Sequence, residues 1–265
     1  MSMLPELVTQ NSQLIRKSDG KPYRDLNKNG RLDVYEDPRQ PLEARVEDLL
    51  NQMTLEEKAG MMFINGSAVN EDGSIGAPPL KPGEKEVGGI ASMRAKNQME
   101  AQWMTHFNIW AIPGALPLSK WVNNLQQFAE ETRLGIPITI ASDPRNHFSK
   151  AIFEMEAKDF SQWCQPLGLA AVNEPELVRQ FAETARKEYL AAGIRMALHP
   201  QIDLATEPRW PRIGGTFGED AVLSARLVRA YLAGFQGTQL GLESVACMTK
   251  HFPGGGPQKE GLDPH

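Results

Sequence analysis

Disulfides, membrane spans and surplus positive charge are all scarce in this 265-residue chain. Its two cysteines, Cys164 and Cys247, are too few and too isolated for a disulfide framework or a zinc site, so both read as core residues and neither assigns a compartment. No apolar run approaches the roughly 18 residues of a spanning helix, and the opening Met1-Ser2-Met3-Leu4-Pro5 has no basic stretch followed by an apolar core. No membrane partner is expected. With a signal peptide taken as already removed, a periplasmic or secreted location is favoured over a cytoplasmic one. The 28 Lys and Arg stand against 33 Asp and Glu with no basic run, which excludes the electrostatic footprint of a nucleic-acid binder. What is present is 41% hydrophobic, enough for a globular core.

The first informative stretch is residues 25–36, which fit D-x-[DN]-x-[DN]-G-x5-E in full. Asp25, Asn27, Asn29, Asp33 and Glu36 supply oxygens, Arg31 a backbone carbonyl, and Gly30 the sharp turn, a set that suits a structural Ca²⁺. Two short packing helices follow, the second opened by a Thr54-Leu55-Glu56-Glu57 capping box, and residues 65–83 read as a Gly/Pro-rich loop. From Val87 the pattern alternates short strands with amphipathic helices. Strands are expected over 88–93, 136–141, 194–204 and 245–249, and helices over 119–134, 173–192 (with Asn173 and Glu176 as a capping box) and 219–235. Strand-helix repetition means parallel pairing with helical crossovers, an α/β fold. Residues 1–86 read as an N-terminal extension and 87–265 as about four strands, roughly the first half of a (β/α)8 TIM barrel. Trp103, Trp110 and Trp163 read as packing residues.

Three of the four expected strands end in charge. Asp143 follows the second, Glu207 and Arg209 follow the third, and Lys250 and His251 follow the fourth just before a Pro/Gly stop. Polar residues converging from several strand ends describe a substrate rim. Read without that convergence, Asp143 is a turn residue, Arg209 an ion-pair partner, and Lys250 a Schiff-base lysine of some other barrel enzyme.

The ordered pieces Met53-Thr54-Leu55-Glu56-Glu57-Lys58, Leu134-Gly135-Ile136-Pro137 into Ser142-Asp143-Pro144-Arg145, Glu207-Pro208-Arg209-Trp210 on to Phe217-Gly218-Glu219-Asp220, and Lys250-His251-Phe252-Pro253-Gly254 resemble glycoside hydrolase family 3, the β-glucosidase-like enzymes. The resemblance implies that Asp143, Arg209, Lys250 and His251 hold the terminal non-reducing glucose of a glucoside or oligosaccharide in subsite −1. It also implies retaining, exo-acting hydrolysis through a covalent glycosyl-enzyme, with no cofactor for catalysis. The family's nucleophile is an Asp in a Ser/Thr-Asp-Trp motif and its acid/base usually comes from the following domain. These 265 residues contain no Asp-Trp pair. Nucleophile and acid/base are therefore expected beyond His265, the rest of the same enzyme is the expected partner, and the chain alone is expected to be inactive. The family's N-acetylglucosaminidase branch places a His-Asp pair after Lys-His-Phe-Pro-Gly, where this chain reads Gly254-Gly255-Gly256-Pro257, so a β-N-acetylhexosaminidase is disfavoured and a β-xylosidase stays open. The alternative of another class is a non-catalytic carbohydrate- or calcium-binding half-barrel.

Overall fold

A computed structural model describes residues 15–76, 94–110, 112–148, 159–252 and 254–263. The alternation read from the sequence becomes one parallel sheet whose strands lie side by side in chain order: β3 (Ile64–Ser67), β4 (His106–Ile109), β5 (Thr139–Ser142), β6 (Met196–Ala197) and β7 (Ala246–Cys247). Register runs Ile64 to His106 to Thr139, then Ala141 to Met196 to Ala246. The crossovers carry helices α3 (Ala95–Gln102), α4 (Ala115–Glu131), α5 (Pro166–Val172), α6 (Pro175–Ala191) and α7 (Ala221–Gln236). The α/β class stands as expected. The sheet has five described strands, not four.

Two of the five were missed. β3, within the 1–86 extension, runs from Ile64 into the stretch read as loop, and was missed because Asn65 and Gly66 are poor strand formers. Tertiary contacts override that preference: Gln98 Nε2 of α3 donates to the Gly66 carbonyl at 3.1 Å, and Asn65 Nδ2 donates to Gln98 Oε1 at 2.8 Å. β4 buries Phe107 and Ile109 completely between half-buried His106 and Asn108, a period-two pattern only four residues long. The strand expected over 88–93 lies outside the described residues.

The helices follow their apolar stripes, with shifted ends. α4 starts four residues before 119. The expected capping box at Asn173 does not form. Pro175 fixes the first turn of α6, Glu174 caps it, and Asn173 takes a left-handed φ of 59° as the C-cap of a separate α5. The Thr54 and Glu57 box does form, opening α2 (Leu55–Met61). Ahead of it come an antiparallel hairpin, β1 (Ile15–Ser18) and β2 (Lys21–Arg24), a 3-10 turn (Val34–Glu36) and α1 (Leu42–Gln52). α1 packs less than expected, since Leu42, Val46 and Leu50 remain exposed.

The core lies between sheet and helices, built on Phe107, Ile109, Ile140, Leu118, Leu125 and Trp121, with a second aromatic layer of Phe181, Tyr189, Tyr231 and Phe235 under α6 and α7. Cys247 packs against this core, and burial pushes its thiol up to about 12. Trp163 packs on Phe181 with ring centres 5.5 Å apart, whereas Trp103 is 47% exposed and is not the packing residue expected.

Candidate functional site

In a parallel sheet every strand delivers its last residue to the same rim, and here that rim gathers charge. Asp143 follows β5 and Lys250 follows β7. Lys250 Nζ donates to Asp143 Oδ1 at 2.6 Å, with the two side chains 22% and 25% exposed. Asn108 of β4 donates its Nδ2 to Asp143 Oδ2 at 3.0 Å. A carboxylate offers about four acceptor positions, so these two donors leave Asp143 room for two more. Asp143 and Lys250 both line a cavity of about 450 Å³, together with His147, His199, Gln201 and Arg212. That volume falls within the range of about 300 to 1,000 Å³ typical of small-molecule sites.

The cavity wall is held from behind. Arg145, 1% exposed, donates Nε to Ser142 Oγ at 2.7 Å and its guanidinium to the carbonyls of Trp110 and Ile109, tying the end of β5 to the end of β4. Tyr189 OH donates to the Asp143 carbonyl at 3.1 Å. Two polar atoms close to this point, Gln201 Nε2 and Asn108 Oδ1, are buried and have no hydrogen-bond partner among the described residues. Such a group costs about 1 to 3 kcal/mol while unpaired. A ligand carrying several hydroxyls offers both the acceptor and the donor that these atoms call for.

Lys250 and Asp143 are brought together, but the other two expected residues are placed differently. His251 turns its ring to Asp203, with Nδ1 2.8 Å from Oδ2. The Asp203 side chain is fully buried, and its Oδ1 accepts from the backbone N–H groups of Gly255 at 2.5 Å and Gly256 at 3.0 Å. Burial alone would raise the Asp203 pKa; the bond to His251 and the Gly256 and Gly255 N–H groups outweigh it and hold the carboxyl below its ordinary value. Asp203 thus pins both His251 and the loop after β7. Arg209 is bound to Glu207 through three hydrogen bonds of 2.9 Å, is 64% exposed, and does not line the cavity. The arginine on the cavity wall is Arg212, 3.7 Å from Asp263.

Sequence reasoning missed Asn108, Gln201 and Asp203. Asn108 sits in the unrecognised β4, where Phe107 and Ile109 carried the signal. Gln201 and Asp203 fall on alternate positions of the expected third strand, and polar residues on one face of a core strand mark a lined site.

The expected metal residues lie in the loop between β2 and α1. Asp25 Oδ2 accepts from Gly30 N–H at 3.0 Å, and Asn27 and Asn29 donate their side-chain amides to Asp33 Oδ2 at 2.6 and 2.5 Å. Glu36, 6% exposed, accepts from the backbone of Leu26, Asn27 and Asp33. The Arg31 side chain is exposed, and the Arg31 backbone N–H donates to Asn29 Oδ1 at 2.8 Å. Among the described residues no three His, Cys, Asp or Glu side chains are grouped closely enough to hold an ion by themselves.

A family model described as Glycosyl hydrolase family 3 N terminal domain matches residues 84–262. Beta-glucosidase C of Emericella nidulans is 45% identical over 247 residues, covering 91% of this chain and 37% of that protein. Periplasmic beta-glucosidase/beta-xylosidase of Dickeya chrysanthemi is 44% identical over 264 residues, covering 98% of this chain and 38% of its own length. Among solved structures, the exo-1,3/1,4-beta-glucanase of a Pseudoalteromonas species superposes with a TM-score of 0.65 at 20% identity, over 90% of this chain and 27% of that one. The chain therefore spans well under half the length of these relatives.

Proposed function

Because this chain belongs to glycosyl hydrolase family 3, we propose that it supplies the sugar-holding rim of a retaining, exo-acting β-glucosidase, with Asp143 and Lys250 gripping the terminal glucosyl residue in subsite −1. The observation that carries this is the Lys250 to Asp143 contact at 2.6 Å on the cavity wall. A carboxylate with spare acceptor positions takes the hydrogens of two neighbouring hydroxyls, and an ammonium donates to the same ring. Both bonds can strengthen as the ring flattens toward an oxocarbenium ion. His251, oriented by Asp203, and Arg209 complete the set of residues assigned to the sugar. For Arg209 the role requires release from Glu207, a pair with both partners on an exposed loop.

The sheet is read as the first part of a (β/α)8 barrel. The carboxylate that attacks the anomeric carbon, and the carboxyl group that protonates the leaving oxygen and then takes a proton from water, are assigned to sequence outside these 265 residues. The absence of an Asp-Trp pair and the short span relative to the relatives support that placement. Extracytoplasmic location is part of the same reading, supported by the word periplasmic in the Dickeya relative's name. That name also pairs glucoside with xyloside, which makes a β-xyloside the second substrate to test.

The experiment is hydrolysis of aryl β-D-glucoside and β-D-xyloside by the whole enzyme carrying this chain. Asp143→Asn and Lys250→Ala should each lower kcat/KM on the order of a hundredfold, the value of a charge-assisted hydrogen bond of about 3 kcal/mol. Unchanged kcat/KM in both variants would remove the assignment. Turnover by the 265 residues alone would instead place the attacking carboxylate within them.

A further inference from the structure

Residues 25–36 have no part in the sugar rim, yet they contain a buried oxygen that lacks a partner. Asp25 is 1% exposed. Its Oδ2 accepts the Gly30 N–H and lies 3.7 Å from Arg16 Nε, while Oδ1 is buried with no hydrogen-bond partner among the described residues. A carboxylate oxygen removed from water without a donor is costly, and such atoms are rare unless something else satisfies them. The carboxylate reaches across the loop to Gly30 through Oδ2, which keeps the bare Oδ1 buried on the same group at the mouth of the 25–36 turn. The first and last positions of the turn are drawn together as well, because Glu36 takes the N–H groups of Leu26 at 2.6 Å and Asn27 at 3.3 Å.

We infer that residues 25–36 form a calcium site ligated by Asp25 Oδ1, the amide oxygens of Asn27 and Asn29, the Arg31 carbonyl, Asp33 and both oxygens of Glu36. Those seven or so oxygens match the coordination number of Ca²⁺ and exceed the octahedral set that Mg²⁺ demands. The Asn27 and Asn29 side-chain oxygens already accept the Asn29 and Arg31 N–H groups at 3.2 and 2.8 Å, and each keeps a second lone pair for a cation. Binding replaces the two amide donations to Asp33 with ligation by Asp33 itself. The three carboxylates are not gathered closely enough to hold an ion by themselves, so the two amides and the carbonyl have to complete the site and the ion has to draw the carboxylates in. The cation's task is mechanical. The loop is joined to α1 through Asn27 and Gln52 at 3.1 Å and Tyr35 N–H and Asp48 at 2.9 Å, and to the segment entering β5 through Tyr35 OH and the Leu134 carbonyl at 3.2 Å. Filling it fastens the hairpin and α1 to the sheet.

The test is Tb³⁺ luminescence on the protein, excited through Tyr23 and Tyr35, with displacement by Ca²⁺ and parallel thermal melts in Ca²⁺ and in EDTA. We expect tyrosine-sensitised emission that Ca²⁺ displaces, and a Tm raised by Ca²⁺ and lowered by EDTA. Asp25→Asn keeps an oxygen for Gly30 but puts an amide where Oδ1 stands, and should weaken Ca²⁺ by more than about tenfold. Asp33→Ala, at a half-buried position, gives the same readout if Asp25→Asn does not fold. No Tb³⁺ emission and no Tm change at about 10 mM Ca²⁺, a concentration above the weakest natural calcium modules, would overturn the site. A full Ca²⁺ response surviving in both variants would overturn it equally, by placing the ion elsewhere.

Discussion

His199 shows how a single ring can set a pH limit. Tyr231 OH lies 2.5 Å from its Nδ1 and Tyr189 OH 3.0 Å from its Nε2, so both nitrogens are engaged in the core. Burial first, then the charges of Lys250, His147 and Arg145, hold its pKa well below the ordinary 6.5. Between 6.5 and that lower value the unfolded chain carries a proton that the folded chain refuses. Stability therefore falls as pH drops below about 6.5, by about 1.4 kcal/mol per pH unit for one such group. Urea unfolding at pH 7.5, 6.5 and 5.5 should show this slope, and His199→Gln should flatten it; an equal slope in the variant would assign it to other groups. Asp203 acts in a separate window, because its depressed pKa gives stability that is present above its ordinary 3.8 and lost as pH falls through the folded value. At this scale the sequence exposed the ends of chemistry and hid its supports. Asp143 and Lys250 were legible because charge directly after an apolar strand has few other reasons to be there. Asp203 and Asn108 were not, because their roles consist of bonds to residues 48 and 35 positions away, and spacing records only neighbours.

Among the elements, α6 and α7 pack closely along their length, and Gly234 permits it. A Cβ built there would stand 2.4 Å from Ala182 Cβ and 2.7 Å from the Arg179 carbonyl, so the helices touch backbone to backbone. Gly234→Ala should destabilise by about 1 to 3 kcal/mol through overpacking, against a gain of about 1 kcal/mol from alanine's better helix propensity. A lowered urea midpoint would show the packing term winning, and a raised one would mean the helices part without loss. The long helices were readable because four or five turns repeat one stripe, as Leu223, Leu227, Tyr231 and Phe235 do along α7. Their starts shifted by two residues where Pro175 and Asp220 set the first turn, and by four in α4, which begins after Gly114. The strands were hard to read because they are short. β6 and β7 hold two residues each, and the polar Asn65 and Gly66 of β3 are strand only by virtue of their neighbours.

Across the whole molecule the two proposed sites sit at opposite ends of β5. The 25–36 loop binds the chain entering that strand, through Leu134, while the proposed sugar rim follows its last residue, Ser142. Sites so separated and without shared partners couple by less than about 0.5 kcal/mol. Calcium should therefore raise Tm while leaving the dissociation constant for glucose unchanged within about twofold, as titration calorimetry with and without EDTA would show; a larger change would mean that β5 transmits strain between them. The strand order has a further consequence. Because each described strand lies beside the one before it in the chain, a ribosome releases the strands in the order in which they lie in the sheet. Among the described strands each one after β3 meets a neighbour already made, and only the outer edges of β3 and β7 are left for segments synthesised later in the barrel reading.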